Sequence, residues 1–217
     1  MATEHYGRLK LLFVDDAPHT RLMLREMLRH TDWPNAEFAD SAAAALKQIL
    51  VNPPDLVFTD WQMPGQSGLD LIRAIRERPD SPDPLLPVIL LTASGGAEYV
   101  LGARKAGATD FLVKPISMNR IIERVMDAVT NPRPFIVSPT YKGPDWRRPG
   151  QPAVANDRRR DALPAGSFVL PPDFLLLAKV RGDPAAIHEA RQRRDESIAI
   201  VLAAFAKARS VVDPQPA

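Results

Sequence analysis

Five short strand-like runs, each closed by a polar or charged residue and followed by helical periodicity, constrain this chain more than anything else in it. Leu9 to Val14 stops at Asp15-Asp16, Asn35 to Ala39 at Asp40, and Asp55 to Thr59 at Asp60. Leu86 to Leu91 stops at Thr92, and Ala108 to Val113 at Lys114. Apolar runs this short, bounded by turn residues, read as strands buried on both faces. The segments between them read as helices. From Pro18 the pattern carries Leu22, Met23, Met27 and Leu28; Asp40-Ser41 caps an Ala-rich helix to about Val51; Gly68 to Arg78 presents Leu69, Leu71, Ile72 and Ile75. A helix over Ala97 to Ala106 leads to Gly107, and Ser117 caps a last one with Ile121, Ile122, Val125, Met126 and Val129 on its apolar face.

Strands alternating with amphipathic helices specify a parallel sheet covered on both sides, because right-handed crossovers place the helices there. The carboxyl ends of all the strands then share one edge, so Asp15, Asp16, Asp60, Thr92 and Lys114 are expected to converge. Singly, each has an ordinary reading: a capping pair, a turn residue, a solvated lysine before Pro115. Jointly, those readings require independent coincidences at four strand ends. Three adjacent carboxylates repel unless a cation compensates. A hard divalent ion, Mg²⁺, fits Asp15 or Asp16, Asp60, a backbone carbonyl and waters. With the fixed charge of Lys114 and the hydroxyl of Thr92, the set suits phosphoryl transfer to a carboxylate, with an acyl phosphate on Asp60 as product.

These residues resemble the receiver domain of two-component response regulators. The acidic pair after the first strand, Asp60-x-x-Met63-Pro64-x-x-x-Gly68, Thr92-Ala93 and Lys114-Pro115 match in order and separation, over roughly residues 8 to 130. The resemblance implies a flavodoxin-like, doubly wound five-stranded sheet of order 2-1-3-4-5. It also implies that Asp60 takes phosphate from a phosphohistidine of a sensor histidine kinase or histidine phosphotransfer protein. Asp15 or Asp16, Asp60 and the Gln62 carbonyl would hold Mg²⁺, while Thr92, Lys114 and the Ala93 backbone would bind the phosphoryl group. Thr92 and Phe111 match the family's switch positions, and a phenylalanine there can hold an inward state by packing alone. Gln62 and Ser94 match the positions that tune dephosphorylation. Neither is an acid, so no built-in base for rapid hydrolysis is expected; the only activities expected are Mg²⁺-dependent self-phosphorylation at Asp60 and slow self-dephosphorylation.

Three regions are expected: a receiver over 1–130, a Pro/Arg-rich linker or arm over 131–172, and a helical tail over 173–217. Residues 1–130 carry 14 Lys/Arg and 17 Asp/Glu, whereas the remainder carries 14 and 9 and holds 12 of the 22 prolines. That shift in charge and composition places the boundary near Thr130. The segment 131–172 reads as an extended arm without a core of its own. Its aromatics among arginines, as in Tyr141-Lys142-Gly143-Pro144-Asp145-Trp146-Arg147-Arg148, could stack on bases or lie on an acidic protein surface. Asp183-Pro184 starts a helix whose stripe of Ile198, Val201, Leu202 and Phe205 must dock on the receiver, a second copy or a partner. His188-Glu189 on that helix lacks the surroundings of a phosphotransfer module. Without a helix-turn-helix, cyclase motif or ATPase loop after residue 130, the expected output is a downstream protein contact or self-association, with nucleic-acid binding through the basic arm as the alternative. No apolar run is long enough for membrane insertion, the start MATEHYGRLK lacks a signal-peptide pattern, and cysteine is absent, so a cytoplasmic location is expected.

Overall fold

In the computed structural model, which describes residues 5–147 and 163–212 with side chains as far as Phe205 in the last helix, strands and helices alternate from the start. They are β1 (Leu11–Val14), α1 (Pro18–Leu28), β2 (Glu37–Ala39), α2 (Ala42–Val51), β3 (Leu56–Asp60), α3 (Gly68–Glu77), β4 (Val88–Thr92), α4 (Ala97–Ala106), β5 (Asp110–Val113) and α5 (Met118–Thr130). The five strands pair in parallel in the order β2-β1-β3-β4-β5, the flavodoxin-like arrangement that the alternation calls for. Register sets Val14 beside Thr59, Asp60 beside Leu91 and Thr92 beside Val113, so the polar residues closing these strands come level at one edge.

Alternate strand residues feed two apolar layers. Leu12, Val14, Val57, Val88 and Leu90 pack with Ile49, Leu71, Ile72, Ile75 and Ala103 under α2, α3 and α4. Leu11, Phe13, Leu56, Phe58, Ile89 and Leu91 pack with Leu24, Leu28, Ile121, Val125 and Val129 under α1 and α5. The apolar face of α1 differs from expectation, since Leu24 and Leu28 are buried while Leu22 and Met23 are 61% and 45% exposed. The helix leans on the layer by a stripe of one residue per turn, too narrow for the neighbours. Met126 on α5 is likewise exposed. Ser41 caps α2 by accepting from the Ala44 N–H at 3.3 Å, whereas Ser117 stands at the start of α5 with no cap bond from its hydroxyl. Ser67 and Asp70 form a reciprocal capping box at the start of α3.

Where composition points to an extended arm over 131–172, the described part of that stretch pairs into a second sheet. β6 (Phe135–Val137), β7 (Lys142–Pro144) and β8 (Phe168–Leu170) run antiparallel in the order β7-β6-β8. This segment needs no core of its own because it borrows one. Phe135, Val137 and Leu170 bury against Val201 and Phe205 of α7 (Pro184–Val212), with Leu202 packed beside them, so these three residues of the stripe are covered within the same chain. Leu176 and Val180 of α6 (Leu175–Arg181) join the α1/α5 layer beside Leu9, Trp33 and Val129. The run Arg158-Arg159-Arg160 lies outside the described residues.

Polar contacts fix where the extension sits. Lys179 pairs with Asp55 ahead of β3, and Arg194 pairs with Asp173 and with Asp83, the latter at 2.6 Å in the α3–β4 connection. Trp146 donates its indole N–H to the Ala108 carbonyl at 3.0 Å, with Arg104 and Arg133 over its ring at 4.7 and 4.5 Å. Buried Arg76, at the far end of α3, donates to the carbonyls of Gly107 (3.0 Å) and Pro84 (2.8 Å) and lies over the Phe135 ring. Burial pulls its pKa down to about 10, against the opposing effects of Tyr141 and Asp83. Gly107 closes α4 with φ +87°, and a Cβ there would meet the Lys142 carbonyl at 2.6 Å, so only glycine admits β7 this closely. These contacts all lie at the amino-terminal ends of the strands. The described part of the extension therefore underlies the sheet, at the end opposite the carboxyl edge.

Candidate functional site

At that carboxyl edge, ligand oxygens of Asp15, Asp16 and Asp60 all lie within 4.8 Å of one another. Asp15 follows β1 and is 1% exposed; its carboxylate accepts from the Ala17 N–H at 2.9 Å. Asp60 ends β3 and accepts from the Trp61 N–H at 2.9 Å. Lys114, just past β5, reaches between them, with Nζ 2.9 Å from Asp60 Oδ1 and 3.2 Å from Asp15 Oδ2. Four of the five residues expected to converge are thus in one cluster.

Thr92 ends β4 beside this cluster but its hydroxyl is engaged in its own turn, donating to the Ser94 carbonyl at 2.9 Å and accepting the Ser94 N–H at 3.2 Å. Ala93 is exposed in the same turn, and Gln62 is exposed after Asp60. Phe111 is partly buried against the α2–α4 layer, beside Leu90 in the register of β4 and β5.

The turn after Asp60 is shaped by two glycines. Gly65 takes φ +79°, and Gly68 returns its N–H to the Trp61 carbonyl at 3.0 Å. Trp61 carries the end of β3 onto α4, with its indole edge-on to Tyr99 at 5.1 Å and flat space for it at Gly102, where a Cβ would come within 2.6 Å. Neither this contact nor Arg21 was singled out by sequence pattern. Arg21 reaches back from α1 to donate from Nη1 to the carbonyls of Asp15 (2.6 Å) and Asp16 (2.8 Å). The one available signal was its position one turn into the helix that follows the acidic pair.

Burial raises the Asp60 pKa above the ordinary aspartate value, and the Asp15 carboxylate adds to the rise, against the opposing bond and charge of Lys114. Lys114 is itself pulled down by burial, yet Asp60 and Asp15 outweigh that and raise it overall. The cluster therefore holds more negative charge than one lysine settles. A divalent ion suits this donor set, because carboxylates and a peptide carbonyl are the hard oxygen ligands that Mg²⁺ prefers. Chemically, the edge offers a half-buried carboxylate nucleophile flanked by a cation site and a lysine.

Residues 11–126 match the family model described as the response regulator receiver domain. The chain is 33% identical over 117 residues to the chemotaxis protein CheY of Pseudomonas aeruginosa, which covers 54% of this chain and 93% of the relative. It is 34% identical over 117 residues to the chemotaxis protein CheY-3 of Vibrio cholerae serotype O1, covering 54% of this chain and 88% of that protein. A solved structure of a response-regulator candidate from Chloroflexus aurantiacus superimposes with a TM-score of 0.50 at 34% identity, covering 55% of this chain and 95% of the other. Receiver domains of this kind are signalling domains that self-phosphorylate, and phosphorylation and Mg²⁺ binding are typical of them. With its sheet order, its acidic edge and the matched residues 11–126 in agreement, this chain belongs to the response regulator receiver family.

Proposed function

We propose that Asp60 accepts a phosphoryl group from a phosphohistidine of a sensor histidine kinase or histidine phosphotransfer protein, and that the chain works as the response regulator of a phosphorelay. The observation that carries this reading is the gathering of Asp15, Asp16 and Asp60 within 4.8 Å at the carboxyl edge of the sheet, with Lys114 bridging two of them. A carboxylate oxygen of Asp60 attacks phosphorus as the phosphorus–nitrogen bond breaks, and the electron pair leaves on the donor imidazole. Lys114 turns from the carboxylates to the phosphoryl oxygens. Asp15, Asp16, Asp60 and the Gln62 carbonyl would hold Mg²⁺, which when bound offsets the charge on the phosphoryl oxygens. Thr92 exchanges its bond to Ser94 for one to the phosphoryl group, joined by the Ala93 N–H, and Phe111 follows into the space that the hydroxyl vacates. Gln62 and Ser94 border the water path, and neither can act as a strong base, so hydrolysis is slow. The test is incorporation of label from acetyl phosphate with Mg²⁺: Asp60→Ala abolishes it, and retained label overturns the assignment.

For output, the reading is a phosphorylation-dependent protein contact. Supporting it, the cationic and aromatic groups of the extension that are described are largely engaged within the chain, Trp146 with Arg104 and Arg133, Arg194 with Asp83, and Lys179 with Asp55. Nucleic-acid binding would then rest mainly on residues such as Arg158-Arg159-Arg160. Binding to DNA or RNA that weakens steeply with salt would favour that second reading; salt-insensitive capture of one defined protein favours the first.

A further inference from the structure

The Arg21 guanidinium stands where helix electrostatics do not favour it. It lies in the first turns of α1, whose N-cap Ala17 supplies no side-chain acceptor, at the positive end of the helix. Its compensation is the pair of carbonyls ahead of the helix, Asp15 O at 2.6 Å and Asp16 O at 2.8 Å, both taken by Nη1. The consequence differs for the two acids. The Asp15 carboxylate is already fixed by the Ala17 N–H and by Lys114, and the Asp60 carboxylate by the Trp61 N–H and Lys114. The Asp16 carboxylate has no hydrogen-bond donor of its own among the described residues, so its aim is set by the backbone that Arg21 holds.

We propose that Arg21 is a positioning residue for the divalent cation, orienting Asp16 through its carbonyl and thereby raising Mg²⁺ affinity. This rests on the reading of the acid cluster as a cation site. Two effects of Arg21 oppose each other there. Its positive charge repels a cation, and that part is screened by salt. Its two bonds spare the cation the work of ordering the loop, as groups outside a metal's own ligands commonly do.

The Mg²⁺ dissociation constant of the full-length protein, by calorimetric titration with MgCl₂ at low and high salt, separates the two. Arg21→Met, which keeps the stem and removes the donors, weakens Mg²⁺ binding by about 10-fold, in the range found for such outer groups. Arg21→Lys restores part of the loss. In an Asp16→Asn background the Arg21→Met effect disappears, because there is no longer a ligand to aim; a merely structural role would leave it in place. Binding as tight as or tighter than wild type in a folded Arg21→Met protein overturns the proposal, as does an undiminished effect in the Asp16→Asn background. Should Arg21→Met fail to fold by circular dichroism, the same comparisons are read on Arg21→Lys. Absence of Mg²⁺ binding in the wild type would instead overturn the cation-site reading itself.

Discussion

A Cβ placed on Gly68 would lie 2.0 Å from the carbonyl oxygen of Asp60, closer than any real contact allows. The start of α3 is pressed against the backbone that carries the proposed nucleophile, and the glycine is the reason the two can meet. Gly68→Ala must push the helix or the strand end aside. The expected cost is about 2 kcal/mol of stability, as for other overpacked sites. Urea denaturation measures the loss, and phosphate uptake from acetyl phosphate should fall with it.

Because burial raises the Asp60 pKa, the ionised carboxylate is disfavoured in the folded protein relative to the unfolded chain. Stability without metal therefore falls as pH rises from the ordinary aspartate value through the raised one, and levels off above it. Asp60→Asn, neutral at every pH, should raise Tm in metal-free buffer near neutrality and remove most of the gain in Tm that Mg²⁺ gives the wild type. A calorimetric pH series in metal-free buffer, on the wild type and Asp60→Asn, reads this effect.

Leu176 and Val180 bring the extension into the same apolar layer as Leu9, Trp33 and Val129. A chain ended at Thr130 leaves that layer open and strips Arg76 of its contact with Phe135. Leu176→Ala is expected to cost about 2–4 kcal/mol, in line with buried leucine truncations. If the extension only braces the receiver, light scattering gives the full-length and the shortened protein each its own monomer mass, unchanged by beryllofluoride. A mass increase on beryllofluoride in the full-length protein alone would give the extension a part in assembly.

The Trp146 indole is held by the Ala108 carbonyl and two arginines. Were it a base-stacking platform, nucleic acid would have to displace these partners. Trp146→Phe keeps a ring but drops the N–H, and is expected to lower Tm by a few degrees, about 1 kcal/mol of lost hydrogen bond, without changing any affinity for single-stranded DNA. A fluorescence-anisotropy titration in low salt checks the second half.

The sheet and its acidic edge were legible because each strand is a short run that ends on, or is followed at once by, a polar residue, so the pattern aligns their carboxyl ends. Asp60, Lys114 and the acidic pair needed nothing further. The second sheet was hidden for the opposite reason. Its strands are three residues each, include Gly143 and Pro144, and acquire a buried face only when Val201 and Phe205, some sixty residues on, fold back over Phe135 and Val137. Composition cannot report a core assembled from such distant pieces. The exposed Leu22 and Met23 misled for a smaller reason: residues adjacent to a narrow helical stripe look like part of it. Arg21 is not legible in the sequence because an arginine bonded to backbone carbonyls leaves no motif, only a spacing.

Phosphate on Asp60 is the proposed state on which signalling by this chain depends. Full-length protein treated with acetyl phosphate and Mg²⁺, trapped by borohydride reduction of the acyl phosphate and digested for mass spectrometry, reads the site directly. Reduction confined to the peptide containing Asp60, at that residue, is the result expected. Reduction at Asp15 or Asp16, or none anywhere in a protein that binds Mg²⁺, would contradict it.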